Sequence, residues 1–238
     1  LCMRLISNLR CELSEFITVI LIMIMSYVIG NFNLSYFLSK LKGYDIRQHG
    51  SGNAGASNVV IMMGKKAGII VALTDIFKAF LVCTLAMKIL PDRVFIGPLA
   101  GTCAILGHIF PFYMNFRGGK GLASLGGTIL ALDPKMFVVL LAIAVVLAVV
   151  TNYICVVPMS ISVVFAIVYG YTRQSIASFL ILMMAAVVIN LKHIENIKRI
   201  KAGTEAHFSL LWARKSEAER LGKVYDGEKG YEKVEEIN

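Results

Sequence analysis

Three short stretches of this chain gather most of the side chains able to do chemistry. The densest covers residues 107–121, GHIFPFYMNFRGGKG, where Gly118, Gly119 and Gly121 surround Lys120. Glycine lacks the Cβ that keeps a backbone away from an oxyanion, so N–H groups there are expected to close on phosphate oxygens. An apolar run at 122–132 follows directly, and a helix starting there aims its positive end at the same place. The chemistry to expect is an anion cradle with Lys120 as its charge. Taken alone, Arg117 and Lys120 fit ordinary juxtamembrane cations equally well, and His108 reads as a hydrogen-bonded packing residue.

The second stretch, DIRQHGSGNAGASNVVIMMGKK at 45–66, alternates Ser51, Asn53, Ser57 and Asn58 with Gly50, Gly52 and Gly55. Hydroxyls, amides and open backbone suit a polyol or an oxyanion, and can activate a hydroxyl by hydrogen bonding. A plain re-entrant turn has the same composition. The nucleotide-loop spacing G-x-x-x-x-G-K-[ST] occurs nowhere in the chain, which disfavours an ATPase.

The third stretch is KHIENIKRIKAGTE at 192–205. Ile194, Ile197 and Ile200 recur every three residues, which predicts an amphipathic helix lying at the membrane interface. His193 and Asn196 share a neighbouring face that either looks into a site or is solvated. Glu195 falls on another face, so His193 has no carboxylate placed as a triad needs. Phe208 to Trp212, followed by Arg214 and Lys215, fits an interfacial anchor, and the chain from Glu217 is charged.

The elements that must position these stretches are membrane helices. The chain is 57% hydrophobic and only 16% charged, too little charge to cover a soluble domain of 238 residues. Its mean hydropathy is +0.72. We expect an all-α integral membrane protein of about seven transmembrane helices with cytoplasmic re-entrant or loop motifs, forming one polytopic domain over 1–238. The spans fall at about 16–38, 67–89, 94–110, a short 122–132, 136–152, 154–171 and 175–191, with a tail at 192–238. At about 1.5 Å per residue the 122–132 run is too short to cross alone. Gly30, Asn31 and Asn33 make the end of the first span polar, predicting contact with protein. Residues 133–135, Asp-Pro-Lys, read as a turn. Asp75 and Lys78 lie three apart inside the second long span, where they neutralise each other and face the bundle interior.

Most lysines and arginines lie in the segments 40–66, 111–120 and 192–238, which an odd number of spans puts on one side. The positive-inside rule makes that side cytoplasmic, with the N-terminus outside. The net charge of +9 is explained by these loops and anionic headgroups, without nucleic acid. Cys2, Cys11, Cys83, Cys103 and Cys155 show no metal or redox spacing and read as packing residues.

Together, GSGNAGASN at 50–58, GHIFP with FRGGKG in 107–121, and HIENIKRIKAGTE at 193–205 resemble the three signature motifs of the bacterial acylphosphate:glycerol-3-phosphate acyltransferases, the PlsY type. The resemblance covers roughly residues 17 to 205. It implies a multi-pass enzyme of the bacterial inner or plasma membrane with its active site and C-terminus in the cytoplasm. Such enzymes transfer a fatty acyl group from acyl phosphate to the 1-hydroxyl of sn-glycerol 3-phosphate, with no cofactor, metal or acyl-CoA. It implies Ser51, His193 and Asn196 as catalytic residues, Ser51 and Asn196 orienting groups rather than forming a covalent intermediate. Asn53, Asn58, Gly118, Gly119, Lys120 and Gly121 are implied to bind substrate, and Glu205, Asp75 and Lys78 to be structural.

The chain departs from the family pattern at three places. Ala79 stands where glycine is usual, Ser57 replaces threonine, and Ile61 replaces an arginine. Losing a charged phosphate contact of that kind costs about 1.5–3 kcal/mol. Arg47, Lys65 and Lys66 are the cations placed to compensate. Ile61 leaves open a catalytically impaired or repurposed paralogue, and the buried Asp75 and Lys78 leave open a transporter of organic phosphate.

Overall fold

The computed structural model describes the backbone of residues 2–211 and the side chains of residues 12–209. The anchor expected at Trp212, Arg214 and Lys215 and the charged stretch from Glu217 lie outside the described residues. Within them all regular structure is helical. The α-helices are α1 Cys2–Asn31, α2 Leu34–Leu41, α3 Ala56–Met63, α4 Lys65–Ile89, α5 Ile96–Ile109, α6 Leu122–Leu132, α7 Pro134–Thr151, α8 Val156–Thr172 and α9 Ile176–Lys201. Short 3-10 turns lie at Ile46–Gln48, Phe112–Met114 and Phe208–Leu211. Five stretches are long and apolar enough to cross a membrane: Glu12–Leu41, Lys65–Ile89, Ile96–Met114, Pro134–Thr151 and Ile176–Lys201; α6 and α8 are shorter apolar helices.

The bundle is built around α5, whose residues are almost all buried. It meets α1 at such close range that a Cβ on Gly107 would lie 2.2 Å from the Tyr27 carbonyl oxygen. Small residues let membrane helices approach until van der Waals packing holds them, since lipid supplies no hydrophobic drive between them. On the other side, Ile105 and Ile109 of α5 join Leu125 and Ile129 of α6, Phe165 of α8, and Leu182 and Ile189 of α9 in the largest buried cluster. Ala79 sits fully buried among Ile22, Val82 and Ala100, so the methyl group replacing the usual glycine hydrogen is accommodated. At the periphery, α7 turns Val138, Val139, Val146 and Val150 outward, as a lipid-facing helix does.

Two expectations are corrected and one is refined. The first span, within Glu12–Leu41, is built from two helices. Asn33 stops α1 and caps α2, its side chain accepting from Tyr36 N–H at 3.0 Å, so the backbone turns there. Residues 133–135 are a helix start rather than a free turn. Asp133 accepts from Met136 N–H at 3.0 Å and Pro134 takes the first helical position, where its missing N–H costs nothing. The third polar stretch is no separate interfacial helix, because α9 runs unbroken to Lys201. Its polar stripe faces inward: His193 is 3% and Asn196 7% exposed, while Ile194 is 45% exposed. In a membrane the apolar face of such a helix meets lipid and the polar face meets protein.

Candidate active site

The loop between α2 and α3 is shaped by two left-handed glycines, Gly50 at φ 59° and Gly52 at φ 70°, on either side of Ser51. Asn58, wholly buried on α3, holds this turn from below. Its Nδ2 donates to the carbonyls of Ile46 (3.1 Å), His49 (3.0 Å) and Asn53 (2.9 Å), and its Oδ1 accepts from Ser51 N–H at 2.9 Å. Both N–H groups of the Asn58 amide are thus spent on the loop, and its oxygen accepts from the same turn. Asn53 is half-buried on the same turn. Asn33 Nδ2 and Ser35 Oγ fasten the Ala54 carbonyl at 3.0 and 2.7 Å, so the polar end of the first span does contact protein.

The neighbouring Arg47 is held through three of its five side-chain N–H groups. It donates to Asp45 through Nε (2.9 Å) and Nη2 (2.7 Å), and to the Met114 carbonyl through Nη1 (2.5 Å). Its guanidinium holds the Asp45 carboxyl far below the usual carboxylate range. Arg47 therefore braces the loop after α5.

The glycine–lysine loop differs from its expected form. After the turn at Pro111 the chain folds back along itself, Gly118 N–H donating to the Ile109 carbonyl (3.0 Å) and Gly119 N–H to the His108 carbonyl (3.1 Å). Those two amides are consumed by backbone, so they do not close on phosphate oxygens. Both glycines are required by contact instead. A Cβ on Gly118 would lie 2.1 Å from the His108 carbonyl oxygen, and one on Gly119 would lie 2.0 Å from His108 Nε2. Gly121, at φ 93°, then opens α6, whose first-turn amides precede the first helical bond, Leu125 N–H to the Gly121 carbonyl at 2.8 Å. Lys120 and the first-turn amides of α6 are the donors of this stretch left outside that backbone pairing.

Beneath the loop lies a buried cluster. Lys78 Nζ is 2.7 Å from Asp75 Oδ1, 3.0 Å from His108 Nδ1 and 2.6 Å from the Phe32 carbonyl it donates to. Asp75 and Lys78 pair as expected and face the interior. They are tied to α5 and the α1–α2 break rather than lining a passage, which removes the feature that suggested a transporter. His108 is a packing residue, as expected, and its ring forms the floor of the loop.

The third stretch closes the site. Lys120 Nζ donates to Asn196 Oδ1, and Asn196 Nδ2 donates to Glu205 Oε1 at 2.6 Å. His193 Nδ1 lies 2.7 Å from the Ile189 carbonyl, which can only accept. Nδ1 must therefore carry the hydrogen, leaving the Nε2 lone pair of the neutral ring for another partner. Burial pushes the Lys120 ammonium below the ordinary lysine pKa, against the favourable pull of Glu205, while burial raises the Glu205 carboxyl.

Two contributors were missed by reasoning from sequence. Arg199 donates from Nη1 to the Ser51 carbonyl at 3.1 Å and from Nη2 to Glu195 at 2.8 Å, joining the third stretch to the first. Its spacing of three from Asn196 on the same helix was the available signal. The turn between α7 and α8 also packs here. The Asn152 carbonyl accepts from Phe208 N–H at 2.6 Å, and buried Cys155 feels the charges of Glu205 and Lys120. Nothing in the sequence pointed to it. Among the described residues no three His, Cys, Asp or Glu side chains are grouped to hold a metal ion.

The sequence profile of the family described as glycerol-3-phosphate acyltransferase matches residues 20–203. A glycerol-3-phosphate acyltransferase of Clostridioides difficile (strain 630) is 36% identical over 199 residues, covering 80% of this chain and 96% of that protein. Its counterpart from Bacillus subtilis (strain 168) is 34% identical over 187 residues, covering 78% and 95%. The fold is similar to the crystal structure of PlsY (YgiH), an integral membrane glycerol 3-phosphate acyltransferase. The glycerol 3-phosphate form matches with TM-score 0.75 at 27% identity, over 81% of this chain and 96% of that one. The lysophosphatidic acid form matches with TM-score 0.72 at 26% identity, over 79% and 94%. With the profile spanning most of its length and relatives above one-third identity covering nearly all of theirs, the chain belongs to the glycerol-3-phosphate acyltransferase family.

Proposed function

We propose that this membrane acyltransferase moves a fatty acyl group from acyl phosphate to the 1-hydroxyl of sn-glycerol 3-phosphate, yielding lysophosphatidic acid and inorganic phosphate. The observation that carries the reading is the convergence of three separate polar stretches. Lys120 meets Asn196 and Glu205, while Arg199 meets Ser51.

In this reading Lys120 and the first-turn amides of α6 hold the acceptor phosphate, with Gly118, Gly119 and Gly121 shaping the loop and Asn53 contributing from the facing turn. Arg199 takes over the phosphate contact that the arginine usual at position 61 would make, so Ile61 does not imply an impaired enzyme. Asn196, fixed between Lys120 and Glu205, orients the substrates. His193 Nε2 accepts the proton of the 1-hydroxyl as its oxygen bonds to the acyl carbon. The bond from acyl carbon to phosphate oxygen breaks, and the proton returns to the departing phosphate. Ser51 donates a hydrogen bond to the oxyanion formed on the way. Asp75, Lys78 and Glu205 keep the frame.

We also infer that the whole of 1–238 is one membrane domain of seven crossings, α6 and α8 completing the five long ones. At about 1.5 Å per residue α6 is only about 17 Å long, so it rests against its neighbours instead of facing lipid across the full hydrocarbon depth. The three polar stretches lie in the cytoplasm and the N-terminus outside. The test is a product assay on purified protein in detergent, with acyl phosphate and acyl-CoA run side by side as donors. Lysophosphatidic acid should form from acyl phosphate, with phosphate released only when glycerol 3-phosphate is present. No turnover from a well-folded preparation would overturn the reading.

A further inference from the structure

The chain that leaves α9 runs past the site as a strap fastened at both ends. Gly203, left-handed at φ 70°, reverses the backbone after α9. Its N–H donates to the Ile200 carbonyl (3.0 Å), and Thr204 N–H donates to the Arg199 carbonyl (2.9 Å). At the far end the turn between α7 and α8 takes hold. The Asn152 carbonyl accepts from Phe208 N–H at 2.6 Å, and its Oδ1 accepts from Ser209 N–H at 3.0 Å. The Tyr153 ring lies 5.3 Å from that of His207, and Phe208 packs against the largest buried cluster. Asn152 is itself left-handed at φ 58°, a conformation asparagine adopts more readily than most residues. One residue thus binds two consecutive amides of the strap.

Between the two fastenings lies Glu205, whose Oε1 accepts from Asn196 Nδ2 at 2.6 Å. The oxygen of the same amide accepts from Lys120 Nζ. An ammonium only donates, so the Asn196 amide serves Lys120 in one orientation, with its nitrogen toward Glu205. Turned over, it would set N–H groups against the ammonium. A carboxylate on a loose peptide would not enforce that choice, because the peptide would have to be ordered each time the contact formed.

We propose that Asn152 is a positioning residue for the acceptor site. Its clasp on Phe208 and Ser209 holds Glu205 against Asn196, which keeps the Asn196 oxygen on Lys120 and the ammonium in place for the acceptor phosphate. This rests on the reading that Lys120 holds glycerol 3-phosphate. Asn152 acts through the strap and not on substrate.

The test pairs hydrogen exchange with calorimetric titration of glycerol 3-phosphate into detergent-purified full-length protein, so it needs no turnover. Asn152→Gly keeps the left-handed turn and removes the side-chain acceptor. Exchange over 204–209 should rise at least about threefold, and Kd should rise about tenfold with the number of sites per chain unchanged. Asn152→Asp keeps both the oxygen and the left-handed backbone, and should stay within about twofold of the parent in both measurements. In an Asn196→Ala background Asn152→Gly should change Kd by less than about twofold, because the group it acts through is gone. A merely structural role would lower the number of sites at constant Kd, and that result overturns the proposal. Unchanged exchange in Asn152→Gly overturns it too, as do a loosened strap with unchanged Kd, an Asn152→Asp protein that behaves like Asn152→Gly, and a full effect without Asn196. A parent that binds glycerol 3-phosphate but forms no lysophosphatidic acid sinks the proposed reaction and leaves the clasp standing. A parent that does not bind it overturns both.

Discussion

The loop at 50–58 and the loop at 118–121 are both rich in glycine, and the chain builds them by opposite means. In the first, Gly50 and Gly52 are needed for their left-handed backbone, and a side chain, Asn58, supplies the hydrogen bonds that hold the turn. In the second, Gly118 and Gly119 are needed because no Cβ fits over His108, and the backbone holds itself by returning along residues 108 and 109. One loop is a flexible shape pinned from below; the other is a close-packed layer on a buried ionic floor. The difference separates what they do. In the proposed reaction the pinned turn carries Ser51, and the layered loop carries Lys120 next to Asn196.

Asn58→Ala is the change that should separate the loops most. It removes the partner of the Ser51 N–H and of the Asn53 carbonyl, at about 1–3 kcal/mol for each that stays buried and unpaired, while the Ile46 and His49 carbonyls keep the backbone N–H groups of His49 and Gly52. Hydrogen exchange should rise steeply over 46–53 while 108–119 keeps its protection, and unchanged protection at 46–53 would remove Asn58 from its place under the turn. A glycine pair comes next. Gly119→Ala pushes a methyl group into the His108 ring, costing about 1–3 kcal/mol, and should raise the half-saturating glycerol 3-phosphate concentration roughly tenfold. Gly52→Ala meets only the Arg47 carbonyl at 3.4 Å but keeps φ at 70°. It should cost about 1 kcal/mol of stability and leave glycerol 3-phosphate affinity alone. Equal effects on that affinity would erase the distinction between the loops.

The smallest effect is a split in pH dependence. Asp45 has its carboxyl lowered by Arg47, so the stability its pair gives the first loop is present above the ordinary aspartate value and is lost as pH falls through the depressed one. Lys120 is lowered by burial, and only its protonated form holds phosphate. Glycerol 3-phosphate binding should therefore weaken as pH rises, before the ordinary lysine value is reached. Lys120→Arg should move that alkaline limb upward, and a limb that stays in place would detach it from Lys120.

Much of this was legible in the sequence. The short helix at 122–132, the inward ion pair of Asp75 and Lys78, and the grouping of three polar stretches all follow from hydropathy, spacing and charge. The misses have a common physical origin. Periodicity shows that a helix has two faces but not what the polar one meets: in α9 the His193–Asn196 face is buried against protein, where an interfacial helix would leave it in water. Composition marks 118–121 as able to bind anions but does not reveal that the turn at Pro111 spends two of its amides on backbone. Arg199 and Cys155 reach the site only through tertiary packing, and Arg47 is tied to Asp45 and the Met114 carbonyl.

The central claim is that the layered loop, through Lys120, is where the acceptor phosphate is held. Its most direct test is the initial rate of lysophosphatidic acid formation as glycerol 3-phosphate is titrated, wild type beside Lys120→Met, at saturating acyl phosphate. Losing one partner of a partly buried phosphate contact should cost about 2–5 kcal/mol, so kcat/KM for glycerol 3-phosphate should fall at least about thirtyfold with thermal stability preserved. A Lys120→Met enzyme with the same half-saturation and the same rate as wild type would contradict the account.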